Sequence, residues 1–173
     1  GKFDWQPNLI GLEWFADEVV PALRQRMQDN AFWVVVAGRM TEATKSKLDA
    51  VPEITAERNP DDMLDFFARA SLVSVPVLVS SGTRLRIAEG LACKRPIVST
   101  TPGAAGLDPG DGTPWIVADG TDSYADALAR VLTDTALSKQ VASDGWAFAE
   151  TLDWNSLRVP LSEAIEGVGE AAR

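Results

Sequence analysis

Short β-branched apolar runs alternate along this chain with longer segments whose apolar residues recur every three or four positions. That alternation constrains the fold more than any other feature. The runs Phe32–Val36 (FWVVV), Leu72–Val79, Pro96–Val98 and Trp115–Val117 are too short and too continuously apolar for amphipathic helices. They read as parallel strands buried on both faces. Between them Leu12, Phe15, Val19, Leu23 and Met27 form one helical stripe, which Pro21 should kink. Further stripes run through Met63, Phe66, Phe67 and Ala70, through Tyr124, Leu128, Val131 and Leu132, and through Leu137, Val141 and Phe148. A last helix is expected over 154–170. With right-handed crossovers these units predict an α/β fold, a doubly wound parallel sheet with helices on both faces.

At 173 residues, 46% hydrophobic and 24% charged, the chain suits one domain with a sizeable core. Gly1–Asp4 leads almost at once into a turn and a helix, so the expectation is a domain lifted from a longer protein. A net charge of −9 argues against a nucleic-acid partner, because any anion must be bound locally against the overall field. With no histidine, neither a Ser/His/Asp triad nor a His-ligated zinc site is available within the chain. Cys93 is the single cysteine and no basic-then-apolar segment opens the sequence, which fits a cytoplasmic location. No apolar run approaches the ~18 residues a transmembrane helix needs.

Ligands of open α/β sheets bind beyond the carboxyl ends of the strands, so the loops there carry the search for chemistry. After Leu72–Val79 the chain reads SSGTRLRIAEGLACKR, a Ser/Gly/Thr turn and then a helix starting near Thr83. Arg84, Arg86, Lys94 and Arg95 are four of the sixteen basic residues, and the first two stand in the opening turn, where the helix dipole disfavours cations. A phosphate held by the helix-terminal amides would offset that. A plain cap by Ser81 or Thr83, with solvated arginines, is an equal reading. Glu89 follows Arg86 by three residues, as an intrahelical ion pair or as a carboxylate aimed at ribose hydroxyls. Leu85, Ala88 and Ala92 mark the expected sheet-facing side of this helix.

A second loop, Ser99–Gly112 (STTPGAAGLDPGDG), is long and glycine-rich, yet has neither GxGxxG nor the GKS/GKT ending of a P-loop. A third candidate is the strand end VVVAGRM with Gly38 and Arg39. Asp61 and Asp62 are expected to start a helix rather than to bind a metal.

Together GKFDWQPNLIGLEWF, AGRM, SGTRLRIAEGLACKRPIVSTTPGAAGL and the DW at Trp154 resemble the C-terminal, nucleotide-sugar-binding half of GT-B glycosyltransferases of family 4 (group 1). The most specific part, Gly82–Leu107, is similar to a subgroup pattern GTRLKxLEAxAxxxPVVST followed by GAEGL. The resemblance spans essentially the whole chain. It implies a Rossmann-like domain, one half of a GT-B fold, that binds a UDP- or GDP-sugar for transfer of the sugar to an acceptor hydroxyl. No other cofactor and no metal is implied, and the N-terminal acceptor domain would be the missing partner. The location implied is cytoplasmic, or peripheral to the inner membrane in the longer protein.

Carried over by position, Glu89 matches the second of two family glutamates, the one at the donor ribose. Arg84 and Arg86 match basic positions near the diphosphate, as stabilisers of the leaving group, and no residue of this chain is assigned as catalytic beyond that. Gly82 and Thr83 would supply amides, and Thr100, Thr101, Pro102 and Gly103 match the loop beside the nucleotide. Lys2 falls where many relatives have an arginine, and Arg39 ends the AGRM strand. Ser81 stands where many relatives have the first glutamate, beside the donor sugar. The lysine common in the first helix has no counterpart, since Pro7 and Asn8 occupy that stretch. A GT-B nucleotide-sugar epimerase relative, or a non-catalytic interaction module on the same fold, are the alternatives. The first is disfavoured by the lack of histidine, the second by the clustering of Gly82, Arg84, Arg86 and Glu89.

Overall fold

The computed structural model describes residues 1–28, 30–79, 85–110 and 112–153. The helix expected over 154–170 and the site residues Ser81, Gly82, Thr83 and Arg84 lie outside the described residues. In chain order the elements are α1 (Gln6–Trp14), a π-helical segment (Phe15–Val19), α2 (Val20–Met27), β1 (Val34–Gly38), α3 (Glu42–Asp49), β2 (Ile54–Arg58) and α4 (Met63–Arg69). Then follow β3 (Val73–Val75), α5 (Leu85–Ala92), β4 (Ile97–Ser99), α6 (Thr101–Ala104), β5 (Ile116–Val117), α7 (Thr121–Thr133) and α8 (Thr135–Thr151).

Among the described residues all the strand pairings are parallel. β1 pairs with β2, Val34 opposite Ile54 through Gly38 opposite Arg58. β4 lies between β3 and β5, with Val75 opposite Ser99 and Ser99 opposite Val117. Lys2 adds a parallel bridge to Arg39 just beyond β1. Parallel strands need crossovers, and helices supply them on both faces, which is the expected doubly wound α/β architecture.

Several boundaries differ from the sequence reading for local reasons. The expected kink at Pro21 takes the form of the π-helical segment, in which Val20 donates back to the Phe15 carbonyl. The wider turn accommodates a proline that has no N–H to give. β3 stops at Val75 because Pro76 cannot donate to a ladder, although Val77 remains buried. Neither β2 nor α3 was anticipated. β2 alternates buried Ile54 and Ala56 with exposed Thr55 and Glu57. α3 is mostly polar and buries Leu48, and Thr41 caps it by accepting from the Thr44 amide at 3.1 Å.

The packed face of α5 needs correction. Ile87, Gly90 and Leu91 are its buried residues, whereas Leu85 is 70% exposed and Ala92 is exposed. Both triplets have helical spacing, so spacing alone cannot choose between them. The choice comes from neighbours: Gly90 lies against Ile97 of β4 and Val73 of β3, and Leu91 against Gly145 of α8.

Leu12, Phe15, Val19, Val20 and Leu23 pack with Val36, Ile54, Leu128 and Val131 in the larger core, and Val75, Ile87, Leu91, Ile97 and Trp115 form the smaller one. Tyr124 sits in the larger core with no exposed surface. Its hydroxyl donates to the Val98 carbonyl at 2.9 Å and lies 2.9 Å from Ser74 Oγ, so one side chain of α7 binds β4 and β3. Trp14 and Phe15 meet its ring edge-on at 5.3 and 6.4 Å between centroids. Burial pushes this phenol well above its ordinary range, against the opposing hydrogen bond with Ser74.

Two stability changes are expected. Tyr124→Phe strands the partners of the hydroxyl in the core and should lower unfolding free energy by ~1–3 kcal/mol in urea denaturation. Gly11→Ala, which gains ~1 kcal/mol of helix propensity on an open helix, should here destabilise. A Cβ on Gly11 would overlap the Pro76 carbonyl and come within 3.2 Å of the Val77 Cα, so a raised melting temperature would contradict this packing.

Candidate functional site

The site elements stand at the carboxyl ends of β1, β3 and β4. At the first, residues 1–3 run alongside the end of β1. The Phe3 amide donates to the Arg39 carbonyl at 2.7 Å, the Arg39 amide to the Gly1 carbonyl at 2.7 Å, and the Gly1 backbone nitrogen to the Ala37 carbonyl at 2.6 Å. Gly38 makes this approach possible, because its φ of +146° favours glycine and a Cβ would overlap the backbone of Gly1. Asn8 in the first turn of α1 is buried and donates from Nδ2 to the Lys2 carbonyl at 2.7 Å. Lys2 itself is exposed. Arg39 reaches back to Asp4 at 2.6 Å, and this hydrogen bond, with the guanidinium charge, holds the Asp4 carboxyl below its ordinary range.

Arg86, half-buried in the first turn of α5, lies directly beside this turn. A Cβ built on Gly1 would come 2.9 Å from Arg86 Nη2. Arg86, with the exposed Glu89 one turn further along α5, thus stands beside the turn that carries Lys2 and bridges to the Gly38–Arg39 strand end. A cation and a carboxylate one helical turn apart, opposite a strand end, can bind an anion and a hydroxyl-bearing group side by side.

At the end of β4 the Thr100–Gly103 stretch forms the start of α6. Thr100 is 1% exposed; its hydroxyl donates to the Val77 carbonyl and accepts from the Gly103 amide at 3.1 Å. Thr101 is exposed and Pro102 half-buried. Asp119, two residues beyond β5, accepts from the Thr101 amide at 2.9 Å and from its hydroxyl at 2.6 Å.

The basic cluster in the sequence divides in space. Lys94 and Arg95 follow the carboxyl end of α5, about 12 Å from its start by helical rise. There Lys94 stacks on Trp146 at 4.5 Å and Arg95 donates to the Ala70 carbonyl at 3.2 Å. Asp62, as expected, caps a helix: it accepts from the Leu64 amide at 2.7 Å at the start of α4. Sequence reasoning missed Asp4, the tether role of Asn8, and Asp119. The signals were present but weak: a polar Asn8 in an apolar helix, and an aspartate just after the short strand WIV. Among the described residues no group of three or more His, Cys, Asp or Glu could hold a metal ion, and no helix is long and apolar enough to cross a membrane.

Comparison with known proteins adds the family. No curated protein matches the chain. Among solved structures, Anabaena HepE in complex with UDP superposes with a TM-score of 0.71 at 15% identity, over 86% of this chain and 44% of that one. Sucrose-phosphate synthase from Thermosynechococcus elongatus gives a TM-score of 0.72 at 16% identity, over 99% of this chain and 44% of that one. α,α-Trehalose 6-phosphate synthase from Burkholderia multivorans gives a TM-score of 0.73 at 16% identity, over 99% of this chain and 42% of that one. The chain thus spans less than half the length of these relatives, and at such identities the likeness is one of fold. The family described as glycosyl transferases group 1 matches residues 1–134, more than three-quarters of the sequence, and the chain belongs to it.

Proposed function

We propose that this chain, as one domain over residues 1–173, binds the nucleotide-sugar donor of a glycosyltransferase. In the full-length enzyme it would face an N-terminal acceptor domain across a cleft and pass the sugar to an acceptor hydroxyl. Family membership supports the activity. The observation that carries the site is the packing of Arg86 against the turn at Gly1, with Glu89 one turn further along α5.

Each residue then has a defined task. Arg86 in the first turn of α5 meets the diphosphate and stabilises the charge that builds on the leaving nucleoside diphosphate. Gly82, Thr83 and Arg84 would join it from the preceding segment, and Ser81 would lie beside the donor sugar. Glu89, one turn along α5, accepts from the ribose hydroxyls. Lys2 and Arg39 add positive potential from the β1 side, although Arg39 is partly neutralised by Asp4. Thr100, Thr101, Pro102 and Gly103 form the adjoining wall, in which Thr100 acts as a brace because its hydroxyl is spent inside the fold. The donor is a UDP- or GDP-sugar; HepE, a structural relative, is known in complex with UDP and with UDP-glucose.

Titration calorimetry of the full-length protein with UDP, GDP and ADP tests this reading. One base should bind selectively, and Arg86→Ala should cost ~1.5–3 kcal/mol of that affinity, the range for hydrogen bonds to charged groups. Glu89→Ala should weaken binding by about tenfold and Glu89→Gln by less, since the amide oxygen still accepts. Unchanged affinity in Arg86→Ala would remove the diphosphate from this edge.

A further inference from the structure

Among the described residues β1–β2 and β3–β4–β5 are separate sheets, and the candidate site draws on both: the turn at Gly1 lies along β1, whereas Arg86 stands in the helix that follows β3. A shared ladder does not set the spacing of these two parts, and α1 is placed to do so. Asn8, Gly11 and Leu12 are its buried residues, on one side of the helix at i, i+3 and i+4. Gly11 sits against the Pro76 carbonyl and the Val77 Cα, in the chain that leaves β3. Asn8, one turn earlier, donates from Nδ2 to the Lys2 carbonyl at 2.7 Å. The Gly1 carbonyl and the Phe3 amide are bonded to Arg39, and successive carbonyls of an extended chain point to opposite sides, so Asn8 holds the turn from the side away from β1.

Asn8 is 7% exposed, and among the described residues its Oδ1 has no hydrogen-bond partner. Turning the amide over would set Oδ1 against the Lys2 carbonyl, acceptor against acceptor, so chemistry fixes its orientation. A buried acceptor without a donor costs folding free energy. What Asn8 supplies in return is its hold on Lys2, and the neighbouring Gly1 is the residue that Arg86 packs against. Resting on the donor-site reading above, we propose that Asn8 is a positioning residue of that site. Through Lys2 it fixes the turn at Gly1 beside Arg86, and through the helix face it shares with Gly11 it ties that turn to the chain leaving β3. The cation that meets the diphosphate is thereby held in place before the donor arrives.

Titration of the full-length protein with UDP and GDP separates this role from a purely structural one, because calorimetry reads the dissociation constant and the binding stoichiometry independently. A residue that only supported folding would lower the stoichiometry and leave the dissociation constant alone. Asn8→Ala is expected to weaken nucleotide binding about tenfold at unchanged stoichiometry. Asn8→Asp, which keeps the shape but sets a carboxylate against the Lys2 carbonyl, should weaken it at least as much; Asn8→Ala carries the test if that variant does not fold. Since Asn8 acts through the placing of Arg86, the two must couple: in an Arg86→Ala background, Asn8→Ala should cost no more than about twofold further. An unchanged dissociation constant in Asn8→Ala, or the same tenfold loss with and without Arg86, would overturn the inference and leave the donor site standing. Full affinity in Arg86→Ala alone, or no nucleotide binding by the wild-type protein, would instead overturn the donor-site reading, and this inference with it.

Discussion

The hydroxyl of Tyr124 is the contact on which the arrangement of the second sheet most depends. A phenol with no exposed surface has to find partners inside the protein, and here they are the Val98 carbonyl and Ser74 Oγ. Satisfying them fixes α7 against β3 and β4 together, while the ring receives Trp14 and Phe15 from the first helical stretch. One residue thereby ties the crossover helices on one side to the strands from which two of the three site segments leave. Dispersion alone would tolerate small slides of such elements, whereas a pair of buried hydrogen bonds does not.

The sheet edge inherits that fixity through short bonds of the same kind. Thr100, immediately after β4, is buried and braced to the Val77 carbonyl, and Thr101 is clamped by Asp119. On the β1 side Gly38 lets residues 1–3 approach within backbone hydrogen-bond distance, which brings that turn beside Arg86. A donor site that works by stabilising charge on a leaving group needs its cation held before the reaction, and preorganisation by the backbone is the means a site of this kind has. At the start of α6 the Thr101 and Gly103 amides are already used within the fold.

Much of the architecture was legible. Four apolar runs marked β1, β3, β4 and β5, and the stripes through Met63 and Tyr124 marked α4 and α7, because helices and strands that bury a face must repeat apolar residues at their own period. β2 was harder to read, since Ile54 and Ala56 give a short alternation and charged Glu57 and Arg58 fill the rest. α3 was missed because it is largely polar and buries Leu48 alone, so its helicity rests on the Thr41 cap and crossover geometry. For α5 the period was right and the face wrong: Leu85 looked like core, yet the sheet and α8 select Ile87, Gly90 and Leu91.

The candidate site divides along the same line. Residue types and their order, the arginine opening a helix after an apolar run and Glu89 one turn on, were readable in the chain because helix geometry and strand-end chemistry act over a few residues. So was the resemblance to group 1 glycosyltransferases, which the match over residues 1–134 bears out. The separation of Lys94 and Arg95 from Arg86, the spending of the Thr101 and Gly103 amides, and the entry of Asp119 depend on long-range neighbours. Asp119 lies eighteen positions from Thr101 and Lys94 fifty-two from Trp146, counted along the sequence. Local patterns encode what a segment can offer; packing sets which of those offers remain open to a ligand, because a buried polar group takes whatever partner the fold brings within reach.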